Sequence, residues 1–185
     1  MRHLRVLDPT TAVLVVIDVQ ESYRQALYEY ERVATAVARL VQGICVLDLP
    51  ILVTEQYPKG LGRTVPEVAT HFPRDLVPIE KTSLSCCGAP RFLTALDGLR
   101  RRQVLLAGIE AHACVSQTAH DLLARGYEVH LAHDSTSSRH VEDYRIGWAK
   151  MIGGGVIPAT VEGALLELVQ TAEAPEFKAI QKLIR

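Results

Sequence analysis

Cys114 stands in "GIEAHACVSQTAHDLLARG" (108–126), where an apolar run gives way to a helical pattern. A thiol at such a place can act as a nucleophile, because unpaired N–H groups and the helix dipole favour a thiolate there. Two other residues have the chemistry to work with it. Asp18 follows the apolar run "AVLVVI", at a strand end where a carboxylate is costly without a partner. Lys81, in "IEKTS", supplies a cation, so the expected thiol pKa is depressed while the carboxylate takes the thiol proton. The local residues leave the bland alternatives open. A cysteine in a helix also packs as a small hydrophobe, and Asp18 and Lys81 each read alone as solvated strand-end charges.

Further candidates surround these three. Gln20, two residues after Asp18, is on its side of the strand if the strand continues, and offers a hydrogen bond to a substrate. Tyr57 follows the second strand as a pocket wall, with Tyr23 a weaker case, and His112 is either a pocket residue or a surface or interface histidine. His130 and His133 are three apart on a strand, hence on opposite faces, and make a poor metal pair. The adjacent Cys86 and Cys87 are read as packing or incidental thiols, with a redox role as the rival. "SSR" at 137–139 suits contact with a subunit or an anionic substrate.

Positioning these groups requires a scaffold, and the hydrophobic pattern supplies one. Short apolar runs at 12–17, 51–54, 104–108, 127–132 and 155–159 read as buried parallel strands, with "VPIEKT" a possible further one. Between them "ERVATAVARLVQGICVLDL", "CVSQTAHDLLARG", "EDYRIGWAKMIG" and "TVEGALLELVQTA" repeat apolar residues at helical spacing. The alternation predicts an α/β fold of three layers, Rossmann-like, with a doubly wound, mainly parallel sheet of five or six strands. Ligands in such sheets bind beyond the carboxyl ends of the strands, so Asp18, Glu55 to Tyr57, Lys81, Ile109 to Cys114 and Asp134 to Thr136 are the places to look. Residues 55–101 read as the irregular part, and "PEFKAIQKLIR" as a helix that docks on its own domain or on a partner.

The bulk properties bound the function. With 185 residues, 48% hydrophobic and 22% charged, and a formal net charge of −1, one domain over 1–185 is expected, with no handle for nucleic acid or membrane. The N-terminal apolar run breaks at Asp18 and does not read as a signal peptide. The 4 cysteines show neither zinc-site spacing nor a disulfide framework, so a reducing, cytoplasmic setting is expected.

"VLVVIDVQESY", "TEQYPKGLG", "IEKTSLSC", "GIEAHACVSQTAHDLLARGYEVHLAHDSTSSR" and "EFKAIQKLIR", in this order over nearly the whole chain, resemble the isochorismatase-like cysteine hydrolases, and more narrowly the isochorismatase-domain-containing hydrolases. The resemblance implies a catalytic triad of Asp18, Lys81 and Cys114 and a cis peptide at Ile109–Glu110. It further implies backbone N–H groups of Glu110 and Cys114 as an oxyanion hole, and hydrolysis of a small amide or related C–N bond through a thioester. Similar proteins are oligomers, so a homo-oligomer, dimer or larger, is expected, with a small molecule as substrate.

Departures narrow the expectation. Nicotinamidases of the superfamily carry metal-binding histidines after the second strand; "TEQYPKGLG" has none, so no metal and no other cofactor is expected. True isochorismatases have glycine where this chain has Cys114, which argues against that activity. Many relatives have threonine where this chain has Ala111. The rival from another class is a non-catalytic interaction or scaffold protein that keeps the hydrolase fold. Nicotinamidase-like and isochorismatase-like activities are the remaining alternatives.

Overall fold

Six consecutive apolar residues, Ala12–Ile17, form β1, and all six are buried. A strand apolar on both faces must lie inside a sheet covered on both sides, and β1 does. It pairs in parallel with β2 (Ile51–Gln56) on one side and β4 (Gln103–Ile109) on the other. The computed structural model describes residues 3–185. Its sheet has six parallel strands in the order β3-β2-β1-β4-β5-β6, completed by β3 (Ile79–Lys81), β5 (Glu128–Ser137) and β6 (Ile157–Ala159).

Alternate residues of the central strands divide between two cores. Leu14, Val16, Leu105 and Ala107 face α1 (Tyr30–Val46), α7 (Val161–Val169) and α8 (Phe177–Ile184). Val13, Val15, Ile17, Val104 and Leu106 face α4 (Pro90–Gly98), α5 (Ser116–Ala124) and α6 (Val141–Gly153). Each fully buried Leu, Ile or Phe on these faces contributes about 1.5–3 kcal/mol, so the two helix layers are held mainly by apolar burial. The terminal helix α8 settles on its own domain, with Ile180 fully buried in the first core. Among the described residues no helix is long and apolar enough to cross a membrane.

Two features depart from the sequence reading. The segment read as irregular contains α4 and the short helices α2 (Pro58–Leu61) and α3 (Pro66–Ala69). Each starts with proline, whose fixed φ suits the first helical turn. Asp134, Ser135 and Thr136, expected after the fifth strand, lie inside β5, which continues to Ser137. There the register shifts: Leu106 opposes Leu131, but Gly108 opposes Thr136. Ser135 Oγ donates to Ala132 O at 2.9 Å across the bulge, and Thr136 Oγ1 donates to Gly108 O at 2.7 Å. Polar residues can therefore be strand residues here, because their hydroxyls are answered by backbone carbonyls.

β1 and β4 are the neighbours at which the strand order reverses. At their carboxyl ends Gly108 has φ +119°, and a Cβ on it would stand 2.1 Å from Ile17 O. Only glycine permits this approach. The chain beyond β1 and the chain beyond β4 are thereby brought to one spot.

Candidate active site

Asp18 is the first residue past β1 and turns the chain with φ +53°, a conformation aspartate tolerates better than most residues. Its side chain points into the protein, not to water. Thr54 Oγ1 donates to Asp18 Oδ1 at 2.7 Å, and Lys81 Nζ donates to Asp18 Oδ2 at 2.7 Å. The ion pair is buried, with side-chain exposures of 0% for Lys81 and 2% for Asp18. Such a pair persists only when its remaining hydrogen-bonding capacity is met. Lys81 Nζ also donates to Gln56 Oε1 at 2.6 Å, Leu84 O at 3.1 Å and Ser83 O at 3.2 Å. Burial draws the Lys81 pKa down, but the Asp18 charge and the nearby thiols overcome it, and the net direction is up.

Cys114 comes from the other side of the reversal point. The Ile109–Glu110 peptide is cis, and residues Ala111–Val115 form a π-helical turn that runs into α5. The amides of Ala113 and Val115 donate to Glu110 O at 3.0 and 3.2 Å. The turn is packed against α6 at Gly147, where a Cβ would stand 2.6 Å from His112 Cα. The Cys114 thiol is buried, and its pKa is pushed up to about 12 by burial first and the Asp18 carboxylate second, with Lys81 pulling the other way. This corrects the expected depressed thiol pKa. The carboxylate is a stronger influence on the sulfur than the ammonium, so the resting group is the thiol, with the Asp18 carboxylate beside it.

A second brace surrounds this turn, and the sequence did not signal it. The buried Glu110 carboxylate accepts from the Arg139 backbone N at 2.8 Å and from Arg139 Nε at 3.1 Å. Ser138 Oγ meets His112 Nδ1 at 2.9 Å, and Ser137 Oγ donates to Tyr28 O at 2.7 Å. Ser137, Ser138 and Arg139 of "SSR" thus have partners within the chain, while the Arg139 side chain stays 53% exposed. His112 is held by Ser138, partly buried.

The other candidates separate. Tyr23, on the 3-10 turn Glu21–Tyr23, lies beside the centre: burial raises its phenol pKa, and the nearby Glu110 and Asp18 carboxylates add to that. Gln20 is not available to a substrate. It is fully buried and clamps the next loop, accepting from Gln56 N at 2.7 Å and donating to Gln56 O and Gly62 O at 3.0 and 2.6 Å. The strand does not continue past Asp18, so its periodicity gave no guide to the Gln20 side chain. Tyr57 is 56% exposed and borders a cavity of about 410 Å³ that also touches Lys59, Lys81 and Arg91. Cys86 packs in the second core as read, next to the centre: its sulfur is 3.7 Å from Thr54 Oγ1, and burial pushes its pKa to about 12. All four cysteines are free. Glu55 accepts from Thr64 N at 2.7 Å and pairs with Arg63 at 2.8 Å, a structural role. Among the described residues no group of three or more His, Cys, Asp or Glu side chains is placed to hold a metal ion.

The isochorismatase domain model matches residues 12–163, which spans the sheet from β1 to the start of α7. The chain belongs to the isochorismatase family. Isochorismatase domain-containing protein 2 of Danio rerio is 43% identical over 96% of this chain and 89% of its own length. Isochorismatase domain-containing protein 1 of Salmo salar is also 43% identical, over 97% of this chain, which spans only 62% of that longer protein. A solved structure described as the MAR1 ribonuclease from Caenorhabditis elegans superposes with a TM-score of 0.92 at 38% identity, covering 97% of this chain and 92% of the other. The six-stranded α/β architecture of this isochorismatase domain is the fold of those neighbours.

Proposed function

We propose that this isochorismatase-family chain is a metal-independent cysteine hydrolase of a small amide or related C–N bond, using Asp18, Lys81 and Cys114. The observation that carries the reading is the buried Asp18–Lys81 pair, 2.7 Å apart, set beside a buried thiol whose pKa the same carboxylate raises. A buried ion pair is a poor way to add stability. It suits a reaction in which a proton must move out of contact with water.

Asp18 takes the Cys114 proton as the sulfur attacks the carbonyl carbon, forming the C–S bond and an oxyanion. Donors from the turn, the backbone N–H groups of Glu110 and Cys114, receive that oxygen. Collapse breaks the C–N bond, Asp18 returns the proton to the leaving nitrogen, and a thioester remains on Cys114. Asp18 then accepts a proton from water as its oxygen attacks the thioester, and the carboxylic acid departs with the thiol restored. Lys81 and Thr54 hold the carboxylate throughout, one on each oxygen. Tyr23 is the pocket wall of this reading, with His112 and Tyr57 as further lining residues. One domain over 1–185, self-assembly into a dimer or larger, and a cytoplasmic setting that keeps the thiols reduced complete it; nucleic acid is not the substrate.

The test is intact mass spectrometry after brief exposure to a panel of small amides, ureas and esters, with an RNA oligonucleotide as one arm because the nematode neighbour carries a ribonuclease name. An acyl adduct on wild type, absent from Cys114→Ala, supports the reading. RNA cleavage that survives Cys114→Ala would sink it. So would a panel with no adduct and no turnover together with capture of a stable protein partner, the result a scaffold protein gives.

A further inference from the structure

At the opposite edge of the sheet, where β4 and β5 begin, four arginines converge. Arg100, Arg101 and Arg102 form the link from α4 to β4, and Arg125 closes α5. Together with Asp97 and Tyr127 they border a cavity of about 460 Å³, within the size range of small-ligand sites.

The charge of this cavity is only partly answered. Asp97 accepts from Tyr127 Oη at 2.7 Å, and Glu128 makes one loose pair with Arg102 at 3.7 Å. Among the described residues Arg100 and Arg125 enter no ion pair. Arg101 donates to Pro9 O and, at 3.1 Å, to Ala12 O, so its guanidinium is fixed in place by neutral carbonyls that leave its charge uncancelled. The carbonyl ends of α4 and α5 supply only about half a negative charge each, and Asp97 and Glu128 one carboxylate each. Four guanidinium groups around one cavity exceed that, and their planar forks match phosphate oxygens two at a time. The four arginines line one cavity on a chain of net charge −1, whereas a nucleic-acid interface needs a footprint of roughly 1,000 Å² or more.

We propose that the Arg100–Arg102 and Arg125 cavity is an anion site for a small polyphosphorylated ligand, separate from the Cys114 centre. The probe is inorganic tripolyphosphate, titrated at low ionic strength by calorimetry against the full chain and read in parallel as a rise in Tm. Wild type and Cys114→Ala should bind it equally. The double variant Arg100→Gln, Arg125→Gln, which leaves the carbonyl-held Arg101 in place, should bind at least tenfold more weakly with an unchanged circular dichroism spectrum. If that double variant fails to fold, Arg102→Gln alone serves, with a several-fold loss expected. No binding to wild type, or undiminished binding to the variants, overturns the site. A single-stranded RNA that binds more tightly than tripolyphosphate and is lost in the same variant overturns the small-ligand assignment. None of these readouts uses turnover, so failure here leaves the hydrolase reading standing, and the converse holds.

Discussion

The two edges of the sheet handle polar groups in opposite ways. At the carboxyl edge charge is taken out of water: Asp18 and Lys81 are almost fully buried, and each carboxylate oxygen has a named donor. At the amino edge the buried polar residues, Gln103 and His130, are not held as ions. Gln103 accepts from Asp8 N at 2.8 Å and Thr11 Oγ1 at 3.0 Å, and donates to Val6 O at 3.1 Å and Leu4 O at 3.3 Å, tying the N-terminal segment to β4, while the arginines stay at the surface. A neutral amide does this structural work at little desolvation cost, whereas buried ions are costly to hold unless paired. The difference indicates where the chain accepts that cost, and it is beside the Cys114 thiol.

Breaking the carboxyl edge should have the largest effect. Asp18→Asn is expected to lower hydrolysis of a cognate substrate by about 10²–10⁴-fold, the usual weight of a general base. The same change removes the anion that raises the thiol pKa, so alkylation of Cys114 by iodoacetamide should shift its pH midpoint downward from about 12. An unmoved midpoint in a folded variant would detach Asp18 from Cys114. Lys81→Met leaves the carboxylate buried and uncompensated, and should cost about 3–5 kcal/mol of stability, read from urea midpoints. If it costs under 1 kcal/mol, the carboxylate there is not held as an ion.

The amino edge should respond to acid. Burial lowers the His130 pKa from 6.5 to about 4, and its Nε2 has no partner among the described residues. The unfolded chain binds this proton at higher pH than the folded one, so stability is full above pH 6.5 and falls as pH drops toward 4. The loss is about 3 kcal/mol by linkage, and His130→Gln should flatten that part of the pH–stability curve. A slope unchanged by the substitution would assign the acid sensitivity elsewhere. Smallest is Gln103→Leu, expected to cost about 2 kcal/mol by leaving buried backbone groups unpaired, with hydrolysis unaltered. A loss of activity at constant fold would mean that the two edges are coupled.

The sequence announced the scaffold better than the details of the centre. β1 is apolar throughout, and Val129, Leu131 and Ala132 give the first half of β5 an apolar, buried stretch, the pattern of buried parallel strands. The second half of β5 was missed because its Ser and Thr residues satisfy their hydroxyls on backbone carbonyls, which a hydropathy pattern cannot show. Asp18, Lys81 and Cys114 were legible through their places at strand ends and through family resemblance. The thiol's raised pKa was not, since it depends on which of two opposite charges weighs more on the sulfur. The nearness of Cys86 to Thr54 had no signal because adjacent cysteines carry no periodic pattern, and Thr54 looks like an ordinary strand threonine. The arginine cavity is invisible along the chain: Arg125 joins Arg100–Arg102 only when α4 and α5 end side by side.

The contact between Glu110 and Arg139 has a consequence for descent. The glutamate is buried, and it holds both the backbone and the side chain of a residue at the far end of β5. A lineage that loses the arginine leaves the buried glutamate with only the backbone N–H of residue 139 to answer it. Positions 110 and 139 should therefore drift as a couple, exchanged together or left alone, while Arg145 and Glu142, paired in open solvent on α6, wander separately.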